Sequence, residues 1–141
     1  MKKNEGFSLI EILVAVMIIT ILASTVAVFV FHEPGKAKRA KAMTEIGSFK
    51  MALGLYRTNH GNLPTERQGL NALCSIPTVE PIPVNYPVET GYLDRREMPM
   101  DPWGNEYVYR VQGARCEIIS YGADGEPGGT EENADISSLE M

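Results

Sequence analysis

The strongest pattern in the chain is an unbroken apolar run from Phe7 to Phe31, 25 residues with a single charge, Glu11. As a helix this run would be about 37 Å long at 1.5 Å per residue, against a bilayer core of roughly 30 Å. A buried core helix would keep a polar face. A secretory signal peptide has an apolar core of about 7–15 residues ending at a small-residue cleavage site. The run fits neither, so residues 7–31 are expected to span a membrane. A second pattern follows. Ala42, Ile46, Phe49, Leu53 and Tyr56 are spaced 4, 3, 4 and 3, which predicts an amphipathic helix with one face on a core. Glu33-Pro34-Gly35 lies between the two and predicts a kink or short break. His60-Gly61-Asn62 ends the second helix.

Beyond residue 62 the pattern shortens. Thr65-Glu66-Arg67-Gln68 has the form of a capping box, predicting a short helix to about Leu73. Residues 76–102 contain six prolines, which excludes a central strand or helix and predicts a long ordered loop, with a short strand near Tyr92. Asp101-Pro102-Trp103-Gly104 reads as a turn. Tyr107, Tyr109 and Val111 then alternate as a strand would, Gln112-Gly113-Ala114-Arg115 turns the chain, and Cys116 to Tyr121 returns as a second strand. The expected fold class is α+β, a long helix packed on a small antiparallel sheet.

Charge changes this picture in two places. The formal net charge is −5, and a nucleic-acid partner, which needs a basic footprint, is excluded as an expectation. Seven acidic side chains and no basic ones lie between Cys116 and Met141, with Gly122, Gly125, Gly128 and Gly129 among them. Such a loop can offer the hard oxygen donors that Ca²⁺ takes. No EF-hand pattern is present, and from these residues alone a solvated, partly disordered acidic tail is the favoured reading. Glu11 is the other place. A carboxylate inside an apolar span is a functional candidate by default, yet no cation lies between residues 7 and 31. An α-amino group freed by a cut just before the span could supply one, the alternative being a shallow or protonated Glu11. Lys2 and Lys3 before the span are outnumbered by Lys36, Lys38, Arg39 and Lys41 after it. By charge alone the C-terminal part would face the cytoplasm.

Enzyme chemistry has little support. His32 and His60 have no Ser or Cys in a recognisable catalytic pattern, and neither a P-loop nor a dinucleotide fingerprint occurs. Trp103 and Tyr107 are expected to be packing residues. The chain is expected not to be an enzyme.

The opening Met-Lys-Lys-Asn-Glu-Gly-Phe-Ser-Leu-Ile-Glu resembles the class III leader of type IV pilins and pseudopilins, through the short polar leader, Gly6, Phe7 and Glu11. The resemblance implies cleavage between Gly6 and Phe7 by prepilin peptidase at the cytoplasmic face, N-methylation of Phe7, and pairing of the new amine with Glu11 of a neighbouring subunit. It places residues 32–141 outward as a periplasmic domain on a single-pass inner-membrane anchor, against the vote of the basic residues. Loss of residues 1–6 removes two Lys and one Glu, taking the formal charge from −5 to −6.

Tyr92, Asp101-Pro102-Trp103-Gly104, Ser120 to Gly125 and Ala134-Asp135-Ile136 resemble the major pseudopilin family of type II secretion systems, as do Leu63-Pro64-Thr65 and Gln68-Gly69-Leu70. The resemblance implies a pilin-like fold with a C-terminal calcium-binding loop. In it, Asp124 and Asp135 would give side-chain oxygens, and Tyr121, Ala123 and Glu126 backbone carbonyls. It implies a homopolymeric periplasmic filament that drives export of folded proteins across the outer membrane. Its partners would be minor pseudopilins, prepilin peptidase and an inner-membrane secretion platform. A surface type IV pilus subunit, or a single-span protein with a periplasmic ligand-binding domain, are the alternatives.

The chain departs from that family in three ways. Ser137-Ser138-Leu139 stand where Gly-Asn-Trp is usual, leaving Ser137 as a candidate replacement ligand. No proline lies within the apolar run. Cys74 and Cys116, 42 positions apart, are an added pair. In an oxidising periplasm they are expected to bond, at about 4 kcal/mol in the chain-entropy account, with two buried thiols as the alternative.

Overall fold

The computed structural model describes residues 7–30 and 34–141, with side chains described outside 24–30 and 34. The leader at 1–6, including Gly6, and the expected break at Glu33, like His32, lie outside the described residues. The chain divides into two compact units, Met1–Gly35 and Lys36–Met141.

The first unit holds helix α1, Leu9–Val30. No Pro or Gly interrupts it, and the Ser8 carbonyl accepts the first bonds, from the N–H of Glu11 at 3.0 Å and of Ile12 at 3.2 Å. Glu11 falls in the first turn, where the helix dipole favours an anion. Twelve large apolar side chains from Phe7 to Leu22 are exposed. Among the described residues no helix is long and apolar enough to cross a membrane. The C-terminal third of the expected span falls where side chains are not described.

The second unit is built on helix α2, Pro34–His60. It opens on a proline, whose fixed φ suits the first helical position. It closes at Gly61, which takes φ +79° and donates to the Arg57 carbonyl at 2.8 Å. The expected stripe is the buried face: Ala42, Ile46, Phe49, Leu53 and Tyr56 are each at most 3% exposed. Against it pack Leu70, Leu73, Tyr86, Ile118 and Ile136. The edge of the Tyr107 ring meets Phe49, centroids 5.1 Å apart.

The sheet has three antiparallel strands in sequence order: β1, Val108–Gln112; β2, Arg115–Ser120; and β3, Ile136–Ser137. β1 and β2 form the expected hairpin, with Val108 opposite Ile119 and Gln112 opposite Arg115. Gly113 turns it at φ +61°. β3 was not foreseen. It is two residues long, too short for any alternation, and it exists because Ile136 and Ser137 pair with Ser120 and Ile119.

Three expectations need correction. The capping box forms as read, with the Thr65 N–H on Gln68 Oε1 at 2.8 Å and the Gln68 N–H on Thr65 Oγ1 at 3.2 Å. It opens no α-helix, however. Gly69 at φ +61° diverts the chain, and only a 3₁₀ turn, Leu70–Leu73, follows. Tyr92 lies in a turn, not a strand. Its N–H and that of Leu93 both donate to the Leu73 carbonyl, at 2.7 and 3.0 Å, an arrangement no ladder uses. Cys74 and Cys116 are free thiols. Cys74 ends the 3₁₀ turn, and Cys116 faces Val111 across the hairpin. Burial pushes both thiols up, opposed by the Arg95 charge at Cys74 and by Arg57 and Lys50 at Cys116.

Candidate functional site

Two groups of expected site residues can be placed. At the amino end, Phe7 precedes α1 and is exposed, and Glu11 sits one turn further on, also exposed. A cut before Phe7 would leave its amine at the positive end of a helix whose first turn carries a carboxylate.

The second group is the acidic loop. Its foundation is Asp101, 4% exposed. Asp101 Oδ1 accepts the N–H of Trp103 at 3.0 Å and of Asn105 at 2.8 Å, and Oδ2 accepts the Ser120 hydroxyl at 2.6 Å. The Asp-Pro-Trp-Gly turn is therefore wound about its own carboxylate and fastened to the end of β2. Asn105 extends the connection, its Nδ2 donating to the Gly122 carbonyl at 2.9 Å. The loop is closed on itself by the Ala123 N–H on the Glu132 carbonyl at 3.0 Å. Gly122, at φ +67°, must be glycine, since a Cβ there would lie 2.7 Å from that same oxygen.

On this base the five expected ligand residues take different positions. Asp124 is exposed and accepts the Glu126 N–H on Oδ1 at 3.2 Å. Asp135 is half-buried and receives the Gly128 N–H on both oxygens at 3.0 Å. The carbonyls of Tyr121, Ala123 and Glu126 accept no hydrogen bond among the described residues. No three His, Cys, Asp or Glu side chains among the described residues gather as a metal cluster. A cation here would rely on carbonyls as well as carboxylates. Two anionic side chains with three free carbonyls are the hard oxygen donors that suit Ca²⁺, and in that chemical sense the residues fit. Ser137 is otherwise engaged. It lies in β3, donates to Glu117 Oε1 at 2.7 Å and accepts the Leu139 N–H at 3.2 Å.

Reading the sequence missed the residues that hold the loop from outside. Arg39 donates from α2 to the carbonyls of Ala134 and Asp135, at 2.9 and 3.4 Å. Lys50 donates to the Ser138 carbonyl at 2.9 Å. Nothing in their spacing links residues some 90 positions apart.

The remaining polar side chains are structural in their contacts. His60 Nε2 lies 2.7 Å from the Tyr92 hydroxyl, which also accepts from Asn59 Nδ2 at 3.1 Å. The Tyr107 hydroxyl donates to Glu45 Oε2 at 2.7 Å, and burial and that carboxylate push its pKa up.

A long amphipathic helix on an antiparallel sheet, behind an apolar helix that opens on Phe7 and Glu11, defines the pilin-like class of α+β subunits. Residues 29–139 match the family described as type II secretion system (T2SS), protein G, and residues 1–27 match the prokaryotic N-terminal methylation motif. Type II secretion system core protein G of Vibrio cholerae serotype O1 is 41% identical over 140 residues, covering 98% of this chain and 93% of that protein. The protein of the same description from Pseudomonas aeruginosa is 40% identical over 139 residues, covering 97% and 96%. A crystal structure of the major pseudopilin from the type 2 secretion system of enterohaemorrhagic Escherichia coli superposes with a TM-score of 0.61 at 40% identity. That match covers 75% of this chain and 90% of that one. The chain belongs to the type II secretion system protein G family.

Proposed function

We infer that this chain, the major pseudopilin of a type II secretion system, polymerises through its apolar helix into a periplasmic filament that drives export of folded proteins across the outer membrane. The family match over residues 29–139 carries the reading. The exposed apolar side chains of α1 supply its driving force, since burying one fully is worth about 1.5–3 kcal/mol. Before assembly, residues 7–31 hold the subunit in the inner membrane with the domain outside. Prepilin peptidase cuts after Gly6, and Phe7 is methylated. The amine of Phe7 then pairs with Glu11 of a neighbour, so that mispaired registers leave a carboxylate buried alone. Minor pseudopilins and an inner-membrane platform are the expected partners. The role is structural, not enzymatic.

Calcium is the proposed ligand of the C-terminal loop. Asp124 and Asp135 would hold it with the carbonyls of Tyr121, Ala123 and Glu126, and it would offset the repulsion among the loop's carboxylates. The deciding experiment is an intact mass and N-terminal sequence of protein extracted from membranes of a host with active prepilin peptidase. A chain beginning at Phe7 with one added methyl group is expected. A chain still beginning at Met1 would defeat the filament reading, and the anchored ligand-binding domain would take its place. With processing established, Glu11→Ala is expected to impair filament assembly while cleavage after Gly6 survives.

A further inference from the structure

Arg39 reaches from α2 to the backbone of a residue proposed as a calcium ligand. Its Nη1 donates to the Ala134 carbonyl at 2.9 Å and its Nη2 to the Asp135 carbonyl at 3.4 Å. A planar guanidinium presents its donors as a rigid fork, and here the fork spans two successive backbone oxygens. The side chain of Asp135 goes the other way, taking the Gly128 N–H on both carboxylate oxygens at 3.0 Å. Asp135 is thus gripped by its backbone from α2 and by its side chain from the loop.

The grip has a second point. Lys50 Nζ donates to the Ser138 carbonyl at 2.9 Å, while the Ser138 N–H and hydroxyl are both used on Ile118 of β2. Arg39 and Lys50 are eleven positions apart, about three helical turns, so they lie along one line of α2 roughly 16 Å long. The extended chain from Asp135 to Ser138 covers about 10 Å at roughly 3.3 Å per residue, and the long side chains span the difference. The segment from Ala134 to Ser138 therefore runs along α2, held at one end by Arg39, at the other by Lys50, and in the middle by β3. Only Arg39 sits at the loop end. Lys50 acts beyond β3, where the sheet already fixes the backbone.

We propose that Arg39 is a positioning residue for the cation site of the C-terminal loop, fixing the backbone of Asp135 so that its carboxylate is set before a cation arrives. This rests on the calcium reading above. Two effects oppose each other. The guanidinium charge disfavours a nearby cation, while its two bonds order a ligand that would otherwise have to be ordered on binding. Its donors are spent on carbonyls and not on the Asp135 carboxylate, so they do not compete with a metal for that group, and ordering dominates.

The test is calcium titration by calorimetry of the full-length chain in detergent micelles, with melting followed in calcium and in chelator. Four chains are compared: wild type, Arg39→Gln, Arg39→Lys and Lys50→Gln. Arg39→Gln is expected to bind calcium about tenfold more weakly, the scale of one lost bond from a charged donor. Its melting deficit should be larger in calcium than in chelator. Arg39→Lys keeps the charge and loses the fork, and is expected to recover only part of the affinity. Lys50→Gln should lower melting equally with and without calcium and leave the affinity unchanged.

Wild-type affinity in Arg39→Gln, or a melting deficit equal in calcium and chelator, would overturn the proposal and leave the calcium reading standing. Should Arg39→Gln fail to fold, Arg39→Lys decides: full wild-type affinity there would overturn it. No calcium binding by the wild-type chain would remove the calcium reading itself, and this role of Arg39 with it.

Discussion

Helices α1 and α2 are similar in length, 22 and 27 residues, and opposite in how they use apolar side chains. In α2 one apolar stripe is buried, Ile46 wholly inaccessible and Phe49 2% exposed, while Met51 and Leu55 lie outside it and stay exposed. In α1 they occupy nearly every position, and Ile10, Ile12 and Leu13 are between 52% and 64% exposed. One helix has found its partner within the chain, in the sheet and the 3₁₀ turn. The other presents large apolar side chains to the outside along its described length. The difference teaches where each helix draws its stability. α2 is held by packing inside the subunit, while the apolar surface of α1 is what the proposed filament would cover.

The sharpest way to break this comparison is to truncate one apolar residue on each helix. Phe49→Ala is expected to destabilise the domain by about 3–5 kcal/mol, the usual cost of emptying a buried phenylalanine site. Ile12→Ala should leave the denaturation midpoint of the detergent-solubilised chain unchanged while reducing filament yield. Equal losses of midpoint in the two variants would mean that α1 packs within its own subunit.

A smaller effect separates two carboxylates. Asp101→Ala strands the N–H groups of Trp103 and Asn105 and the Ser120 hydroxyl. With each buried donor worth about 1–3 kcal/mol when unpaired, a loss of about 2–4 kcal/mol is expected with or without calcium. Asp124 is exposed and has one backbone donor. Asp124→Ala should therefore cost under about 1 kcal/mol in chelator and abolish any melting increase that the proposed calcium gives the wild type. Equal melting of the wild type in calcium and chelator would sink the metal assignment and leave the Asp101 prediction intact.

The smallest effect concerns Tyr86, whose hydroxyl is buried with no hydrogen-bond partner among the described residues. Burial first, then Cys74, Tyr92 and Tyr56, pushes its pKa from 10.0 to about 12. The folded chain thus holds this proton to higher pH than the unfolded chain does. Its contribution to stability is complete below pH 10 and is lost as the pH climbs through about 12. Tyr86→Phe removes no bond, so stability at neutral pH should change by less than about 1 kcal/mol. The alkaline decline should become shallower, with Tyr56, Tyr107, Tyr109 and the two thiols, also raised by burial, contributing to the rest. An unchanged alkaline slope would remove Tyr86 from the account.

The features that were legible in advance are local ones. The α2 stripe shows because helical periodicity is written into consecutive residues. The β1–β2 hairpin shows because Gly113 turns a chain of alternating side chains. The capping pair Thr65 and Gln68 shows because it acts over three positions. The resemblance that points to the family rests on short motifs, and Asp101-Pro102-Trp103-Gly104 is one whose purpose the structure explains: the carboxylate organises the turn and reaches Ser120. The errors share one cause. Thr65 to Gln68 signalled a helix start, and Gly69, the next residue, took a left-handed φ that ended it. Cys74 and Cys116 were assigned to each other by compartment and count, which carry no information on where two side chains point.

The sequence by itself therefore determined the apolar helix, the amphipathic helix behind it, the hairpin and the family, because each depends on neighbours a few residues apart. Only the tertiary structure decided that Ile136 and Ser137 form a strand, that both cysteines stay as thiols, and that Arg39 and Lys50 hold the C-terminal segment against α2. Those contacts join residues 16 to 96 positions apart. Bringing such residues together is the work of the packed core, and no local spacing records it.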